Sequence, residues 1–430
     1  MAEPVGAPLA APLAAPLTVP LTVPLTWGQQ DIWRAVRAAE PQDHYLSIGR
    51  VFDAPRKRPV TVERAAQALD RLVARHESLR TRLAGPRDAP LQRIFPEARP
   101  AFEVTGDEPA QQVCDRLAAV PFRYEQEWPL RVAFVTEGAH VRQVVLVLSH
   151  LAADGHAADL VVKDFRLLLL RDSLPPPQGP TPRELAAWQG SAGGLRLSRE
   201  TIAAWLAEHA RLDPVPPPSH PPGRPRFVEV TLRSTALDAA AQDVAARNRV
   251  SSSTVLLAAA MRLAGGLTGQ RFHGMRVIVN NRFAAGRRDV VGTISQEALV
   301  VLDLRTESFD ALVRQAWGSA LRAYRLAQYD PCAMAEAVGA AGPGIRSFGC
   351  FNDQRLVQVD GAPREPVPGV TEVARTDAMD RNICDFRVHV GGEPGRMEVS
   401  CYADTALLPP PGAERYLLDL ETLVVGEARS

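Results

Sequence analysis

The stretch that decides the fold is residues 144–155, which read VVLVLSHLAADG. Its first five residues form an unbroken apolar run, the pattern of a strand that is buried on both faces. After a polar turn, residues 156–170 place apolar side chains at helical spacing, which predicts an amphipathic helix. The order strand, turn, helix indicates an α/β unit, and a turn at the carboxyl end of a strand is where such folds commonly expose reactive groups.

The turn itself contains the candidate catalytic residues His150, Asp154 and Gly155 in the pattern HxxxDG. A neutral imidazole can position or deprotonate the nucleophile in acyl transfer to an amine or a hydroxyl near pH 7. Gly155 permits a close backbone approach or a positive φ, and amides at the start of the following helix suit a developing oxyanion. The residues alone also fit a plain strand-end histidine, a helix N-cap and a turn glycine.

Length and composition limit the class of protein. A chain of 430 residues exceeds the usual size of a single core, so two lobes are expected. Lys plus Arg equals Asp plus Glu at 49 each, which gives no reason to expect nucleic acid or an anionic membrane as a partner. Five scattered cysteines without a CxxC pair argue against a disulfide framework and a zinc knuckle. With no membrane-length apolar segment and no signal peptide, we expect a cytoplasmic protein.

The pattern along the chain predicts four segments. They are a Pro-rich flexible arm over 1–24, an N-terminal lobe with the HxxxDG motif over 25–172, an inter-lobe linker over 173–225, and a C-terminal lobe over 226–430. The linker is expected to contain one helix, near residues 202–209. Close to the end, two strands are predicted to form a hairpin through Gly391 and Gly392.

Several stretches together resemble the condensation domains of nonribosomal peptide synthetases. That family has an HHxxxDG motif at the end of a buried strand, and Ser149 stands here in place of the first His. Residues 24–33, PLTWGQQDIW, are similar to the family's opening pattern. Residues 75–81, RHESLRT, are a nearly complete copy of its RHExLRT segment, and residues 279–282, VNNR, resemble a later strand and loop. The matches occur in the family's order from residue 25 onward.

This resemblance implies an α/β fold of the α+β type, with two chloramphenicol-acetyltransferase-like lobes forming a V around a central tunnel. It implies an enzyme of natural-product biosynthesis that joins a carrier-protein-bound acyl thioester to an acceptor amine or hydroxyl. Substrates would arrive on the phosphopantetheine of partner carrier proteins, or the acceptor as a free small molecule. No permanently bound cofactor and no metal are expected. We expect the protein to act in trans, because 430 residues leave no room for an adenylation or carrier module beside this domain. We also expect a monomer.

The resemblance also implies roles for single residues. His150 takes the proton-handling role, and the amide of Gly155 helps to stabilise the oxyanion. Arg282 is the expected cationic partner of Asp154, since the family places an arginine from the second lobe near that aspartate. Ser149 is expected to support the fold. Residues 75–81 are interpreted as structural, an exposed helix end whose charges anchor neighbouring backbone.

Three alternatives remain open. The first is an acyl-CoA-dependent O- or N-acyltransferase, although the DFGWG segment of such relatives is absent. The second is a catalytically silent recruitment domain, which the loss of the first His suggests and the retained HxxxDG opposes. The third is a metal site at His150, Asp154 and His156, although no nearby cluster completes a recognised ligand spacing. The loop TISQ at 293–296 departs from the family pattern, so a different channel lining is expected.

Overall fold

The structure is a computed structural model that describes residues 17–283, 286–340, 348–355, 370–382 and 384–429. It is mixed α/β, as predicted. The helices are α1 (Trp27–Ala39), α2 (Val62–Arg75), α3 (Ala110–Ala118), α4 (Gly155–Leu170), α5 (Pro182–Gln189), α6 (Ala192–His209), α7 (Thr235–Asn248), α8 (Ser252–Thr268), α9 (Phe309–Arg325), α10 (Pro331–Ala340) and α11 (Pro410–Ala428). The strands are β1 (Leu21–Pro24), β2 (Ile48–Asp53), β3 (Val60–Thr61), β4 (Thr81–Ala84), β5 (Leu91–Ile94), β6 (Phe102–Thr105), β7 (Leu130–Glu137), β8 (His140–Leu148), β9 (Phe227–Ser234), β10 (Phe272–Val279), β11 (Gln296–Asp303), β12 (Cys350–Asp353), β13 (Thr371–Met379), β14 (Phe386–Glu393) and β15 (Arg396–Asp404).

The chain divides into two compact units. The first contains the residues up to Arg196 together with 280–295, and the second contains 197–279 and the residues from Gln296 onward. This division differs from the predicted segments chiefly in placing 280–295, which follows β10, with the first unit. The predicted boundaries themselves stay a prediction.

The first unit is organised around β8, the strand that precedes the HxxxDG turn. In its sheet the order is β2-β8-β7-β6, and β3 also pairs with β8. Val144, Leu146 and Leu148 pack into a core with α2 and α4. Val145 and Val147 point to the other face and pack against α3. All five side chains are 0% exposed, so the predicted strand buried on both faces is confirmed.

The N-terminal arm lies mostly outside the described residues, but its last four residues belong to the fold. Leu21–Pro24 form β1, which pairs with β5 in a three-stranded sheet of order β1-β5-β4. The interpretation of 1–24 as a free arm is therefore wrong for these residues. Backbone pairing supplies their hydrogen bonds, whereas the repeating prolines had argued against regular structure.

The linker contains two helices where the sequence predicts one. Thr181 caps α5 in a capping box with Glu184, and Pro182 occupies its first turn. The second helix, α6, begins ten residues before the predicted start at 202. It runs through Gly193 and Gly194, which are poor helix formers, and this is why its first turns were missed.

The second unit contains a seven-stranded sheet of order β11-β10-β12-β14-β15-β9-β13. Side chains from one face of this sheet pack in a single core with α7, α8, α9 and α11. The predicted hairpin of β14 and β15 is confirmed, but its turn is not at the two glycines. Gly391 pairs with Glu398 and Gly392 with Met397, so the chain reverses between Glu393 and Arg396.

The second unit contains one disulfide, which the sequence analysis did not predict when it argued against a disulfide framework. Cys350 in β12 and Cys384 just before β14 form a disulfide with a Cα–Cα distance of 6.9 Å. The two strands are parallel neighbours, and this brings together cysteines that are 34 residues apart in sequence. That pairing depends on strand order, which cysteine spacing alone does not reveal.

Among the described residues, no single helix has the length and apolar character needed to cross a membrane. One sharply bent pair, Thr235–Asn248 with Ser252–Thr268, passes on length and composition alone.

Candidate active site

The HxxxDG turn connects the end of β8 to the start of α4. The Ser149 carbonyl accepts hydrogen bonds from the amides of Ala152 at 2.9 Å and Ala153 at 3.3 Å, which tightens the turn. Asp154 is the N-cap of α4, and its Oδ1 accepts from the Ala157 amide at 3.0 Å. Asp154 therefore acts as a helix N-cap, as expected if the turn is purely structural. It uses only one of the two carboxylate oxygens.

The other oxygen of Asp154 lies at the centre of a dense network. Oδ2 accepts from Arg282 Nη1 at 2.8 Å, from the Ile294 amide at 3.1 Å, and from the Ser295 amide and hydroxyl at 3.2 and 2.8 Å. The residue is 1% exposed. Burial alone would raise the pKa of this carboxyl, but the Arg282 charge and the hydrogen bonds outweigh burial and hold the pKa below its ordinary value. Asp154 is therefore an ionised structural anion with no capacity left to act as a base.

Arg282 binds more than the carboxylate. Its Nη1 also donates to the Asn280 carbonyl at 3.0 Å, and its Nη2 donates to the carbonyls of Val290 and Gly292 at 3.2 and 3.3 Å. Asn281, which has a positive φ of 55°, donates from Nδ2 to the Ile294 carbonyl at 3.0 Å. The structure thus brings Arg282 and Asp154 together, and the same guanidinium folds residues 280–295 onto the first unit.

His150 is held through its backbone and not through its ring. The Thr293 hydroxyl donates to the His150 carbonyl. Nδ1 of the ring is buried, and no described side chain forms a hydrogen bond with it. Burial lowers the pKa of His150, and the nearby carbonyls of His150 and Ala153 and the charge of Asp154 oppose this only in part. The imidazole is therefore neutral at pH 7, the form that can accept a proton.

Gly155 does not have the backbone role that the sequence suggested. Its φ is not positive, and a Cβ at this position would meet only Arg50 Nη2, at 4.0 Å. The positive φ given as one reason for a glycine here is wrong, and no described protein atom makes the close approach given as the other. What remains is its place as the first residue of α4, where backbone amides lack partners within the helix. Arg50, which the sequence analysis missed, donates to the Gly155 carbonyl at 3.3 Å and pairs with Asp159 at 2.8 Å.

Ser149 is buried and points into the turn. Its amide donates to the Pro129 carbonyl at 2.9 Å, and its Oγ accepts from the Leu151 amide at 3.3 Å. The side chain therefore bonds to backbone within the loop that presents His150.

The opening motif of the fold lies against the same loop. Thr26 caps α1 in a capping box with Gln29, and its hydroxyl contacts the Thr293 carbonyl at 3.3 Å. Gln29 Nε2 donates to the Leu151 carbonyl at 3.2 Å. A Cβ on Gly28 would overlap the Thr293 carbonyl, so only glycine allows this approach. The family resemblance in residues 24–33 pointed to this segment, but the sequence analysis assigned no role to Thr26, Gly28 or Gln29.

The RHESLRT segment is buried, contrary to the expected exposed helix end. His76 Nε2 lies 2.9 Å from Asp164 Oδ2, and Arg75 Nε lies 2.7 Å from the same oxygen. Glu77 pairs with Arg183 at 3.1 Å. Opposite charges meet inside the unit, which makes burial of this polar segment tolerable. Because Asp164 lies on α4, the segment fixes the helix that begins at the HxxxDG turn.

The metal alternative receives no support from the geometry. His156 Nε2 lies 3.1 Å from the Arg288 carbonyl, and Asp154 is occupied by Arg282. Across the described residues, no group of three or more His, Cys, Asp or Glu side chains has the arrangement of a metal site.

Comparisons with known proteins cover most of the chain. The sequence model of the family described as Condensation domain matches residues 21–337, more than half of the chain. Surfactin synthase subunit 2 of Bacillus subtilis (strain 168) is 30% identical over 149 residues, which cover 34% of this chain and 4% of that protein. Bacitracin synthase 2 of Bacillus licheniformis is 27% identical over 298 residues, which cover 65% of this chain and 11% of that protein. The chain thus spans only a small part of the length of these curated relatives.

Solved structures agree on the fold. The structure determined for condensation domain-mediated chain release from the enacyloxin polyketide synthase has a TM-score of 0.75 at 17% identity, and the match covers 100% of this chain and 84% of that one. At this identity the likeness is evidence for the fold alone. The mixed α/β fold of the condensation domains, expected from the ordered motifs, is confirmed.

Proposed function

The chain belongs to the condensation domain family, and from this premise we propose that it joins an acyl thioester to an acceptor amine or, less often, a hydroxyl. The acyl donor would be delivered on the phosphopantetheine arm of a separate carrier protein, in nonribosomal peptide or related natural-product biosynthesis. The product is then an amide or an ester, and no permanently bound cofactor takes part.

The state of His150 is the observation that supports this proposal best. Its ring is neutral and has no side-chain partner, while the neighbouring Asp154 carboxylate is already neutralised by Arg282. A general base requires an imidazole whose nitrogen is available to the nucleophile. In the proposed reaction, His150 positions the acceptor amine and takes its proton as the amine attacks the thioester carbonyl. The tetrahedral intermediate then collapses to the amide as the C–S bond breaks, and the departing phosphopantetheine thiolate takes the proton from His150 and leaves as the thiol.

The other residues of the turn have supporting roles in the proposal. The Gly155 amide, at the start of α4, donates toward the oxygen that becomes negative in the tetrahedral intermediate. Asp154 and Arg282 hold the turn against residues 280–295 and do not exchange protons with substrate. Ser149 supports the loop through its contact with the Leu151 amide.

The test is amide formation by the purified chain. A panel of acyl groups, each loaded on the phosphopantetheine of a carrier protein, is offered with a panel of amines, and products are identified by mass spectrometry. Wild type is compared with His150→Ala and with His140→Gln, a control at the opposite, exposed end of β8. We expect product with wild type and with His140→Gln, and a loss of about 10²- to 10⁴-fold with His150→Ala.

Other outcomes would contradict specific parts of the proposal. Unchanged turnover in His150→Ala would exclude the general-base role. Equal or faster turnover with the same acyl groups on coenzyme A would replace the carrier-bound donor by an acyl-CoA donor. A folded wild type that forms no product from any pair would favour the recruitment alternative.

A further inference from the structure

The first unit has a groove beside the end of α1. Its volume is about 460 Å³, within the range of small-molecule sites. Its inner wall is aromatic: the rings of Trp33 and Tyr124 meet edge to face with their centroids 5.5 Å apart, and the Phe122 ring lies 6.4 Å from that of Tyr124. Trp33 Nε1 donates to the Arg87 carbonyl at 2.9 Å, which holds this ring in place. The lining consists of Trp33, Glu40, Pro41, Asp43, Arg87 and residues 121–126.

Asp43 brings a buried carboxylate to this groove. The residue is 4% exposed. The Tyr124 hydroxyl donates to its Oδ2 at 2.8 Å, whereas Oδ1 accepts no hydrogen bond from a described residue. Oδ1 is not fully enclosed by protein, so it opens onto the groove that Asp43 lines. One oxygen of the carboxylate is therefore open to a ligand.

Asp43 differs from the other buried acids because no described cation forms an ion pair with it. Four acidic residues are buried among those that the structure describes. In the other three, the carboxylate is paired with an arginine: Glu77 with Arg183 at 3.1 Å, Asp154 with Arg282 at 2.8 Å, and Asp404 with Arg226 at 2.7 Å. A buried carboxylate without a cation is costly, because the charge loses its hydration and gains no opposite charge.

Tyr124 does not supply the missing positive charge. Burial raises the pKa of its phenol, and the hydrogen bond to Asp43 raises it further, so the hydroxyl keeps its proton and stays neutral. Arg131 acts electrostatically on the same phenol, but its guanidinium is paired with Glu127 at 2.8 Å and donates to three backbone carbonyls. Arg131 is therefore already used by other partners.

The remaining charges of the lining limit what the groove can bind. Glu40 forms an ion pair with Arg87, and the exposed Arg123 and Glu125 carry opposite charges. These four residues balance one another, so Asp43 leaves the lining with one negative charge in excess. Such a groove fits a ligand with a single positive charge and disfavours an anion.

The size and the lining of the groove favour an organic cation over a metal ion. Within the part of the chain that the structure describes, no group of three or more His, Cys, Asp or Glu side chains could hold a metal. The volume is also many times the roughly 30 Å³ that one water molecule occupies in the liquid. Aromatic rings and Pro41 offer apolar surface beside the carboxylate, which suits a ligand with a charged end and an apolar body.

We propose that this groove binds a small organic molecule that carries a primary ammonium group on an apolar body. The ammonium donates to Asp43 Oδ1, and the apolar body lies against Trp33 and Tyr124. The site lies wholly within the first unit. The inference does not rest on acyl transfer, and it assigns the groove no part in the chemistry at His150.

Binding of amines to the full chain tests the proposal. The probes are butylamine, phenethylamine and tryptamine, each matched with the alcohol of the same skeleton, and saturation-transfer NMR titrations give the affinities. The proteins are wild type, Asp43→Asn and Asp53→Asn, a control that removes an exposed carboxylate of the same unit. We expect at least one amine to bind wild type and Asp53→Asn equally and Asp43→Asn at least about tenfold more weakly, because the amide keeps the shape of the side chain and loses its charge.

Comparison of the ligands does not depend on a variant that folds. On wild type, the alcohol should bind at least about tenfold more weakly than its amine, and Asp43→Glu should keep part of the amine affinity because it keeps the charge. Wild type that binds no amine, or that binds amine and alcohol equally, would overturn the proposal. Equal binding by wild type and Asp43→Asn would do the same. Displacement of the amine by an equal concentration of K⁺ would also overturn it and assign the carboxylate to an alkali ion.

One further variant separates the groove from the candidate active site, where an amine is the proposed acceptor. His150→Ala should bind the amine as tightly as wild type does. Loss of binding in His150→Ala, with binding kept in Asp43→Asn, would overturn the proposal and place the amine at the candidate active site. Because no acyl donor is present, a chain that proves inactive in acyl transfer still tests the groove, and a refuted groove leaves the proposed function intact.

Discussion

Two histidines of the first unit, the buried His76 and the half-buried His150, lie in motifs that look catalytic, and the structure gives their rings different surroundings. Burial lowers the pKa of both. The His76 ring lies 2.9 Å from Asp164, whose carboxylate also holds Arg75. The His150 ring has no side-chain partner. The difference teaches that a ring without a side-chain partner, and not a lowered pKa or a nearby acid, distinguishes a candidate base from a structural histidine.

The carboxylates beside the two histidines explain why only the His76 ring has a partner. Oδ2 of Asp164 contacts the ring of His76 and holds this histidine in place. Oδ2 of Asp154 is surrounded by Arg282, Ile294 and Ser295, and its Oδ1 caps α4. The Asp154 carboxylate is therefore not left to accept a hydrogen bond from His150. The aspartate of the HxxxDG motif thus stabilises the turn and leaves the imidazole unoccupied.

The largest expected effect comes from exchanging each histidine for glutamine. His150→Gln should lower turnover by about 10²- to 10⁴-fold with little change in stability, because it removes the base and no side-chain contact. His76→Gln should lower the free energy of unfolding by about 1–3 kcal/mol and leave turnover per folded molecule near wild type. Single-turnover amide formation and urea unfolding measure the two quantities. A stable His76→Gln with the turnover of His150→Gln would break the comparison.

The next effect concerns the ion pair beneath His150. Arg282→Met should lower the free energy of unfolding by about 3–5 kcal/mol, because it leaves the buried Asp154 carboxylate without its cation. Adding Asp154→Asn should recover part of this loss, since the remaining amide carries no charge. Urea unfolding of both single variants and the double variant gives the coupling. Additive losses would show that the two residues do not interact.

A smaller effect is expected where α1 meets the loop. Gly28→Ala should lower the free energy of unfolding by about 1–3 kcal/mol, because its Cβ overlaps the Thr293 carbonyl and the backbone must move. Gly155→Ala is the matched control, since its Cβ has room and its amide remains. Its stability should stay within about 0.5 kcal/mol of wild type. Equal losses in thermal or urea unfolding would contradict the packing argument.

The smallest expected effect is in the pH profile. An ordinary histidine, with a pKa of 6.5, would be half protonated at pH 6.5 and half inactive as a base. Because burial lowers the pKa of His150, wild-type turnover should fall by less than half between pH 8 and pH 6.5 and decline only at more acid pH. The same shift predicts that stability is retained above pH 6.5 and lost as pH falls through the folded-state pKa. A half-maximal rate above pH 6.5 would contradict this assignment.

Local patterns predicted much of the architecture. The buried strand before His150, the cap at Thr26 and the amphipathic helix after Gly155 all depend on residues close in sequence. The features that the sequence analysis did not predict depend on partners distant in sequence or contain residues that disfavour the observed structure. The Cys350–Cys384 disulfide required the order of β12 and β14, and α6 runs through two glycines.

The candidate site divides in the same way. The motif and the family resemblance identified His150, Asp154 and Arg282, whereas the contacts of Gly28 and Arg50 and the burial of residues 75–81 were not foreseen. The role of Gly155 in the site stays a prediction, and the positive φ that was one reason for it is absent. Contacts between residues more than a hundred positions apart have no local signature.

The sequence by itself determined the alternation that buries β8 on both faces and the helical spacing that follows it, because side-chain direction in strands and helices repeats with a fixed short period. It also identified the family through motifs in a fixed order. Only the tertiary structure decided which of His76 and His150 has a ring without a side-chain partner, and which cation pairs with the buried Glu77 carboxylate. Both depend on whether a partner from a distant segment arrives within hydrogen-bonding distance, and the folded chain alone determines that.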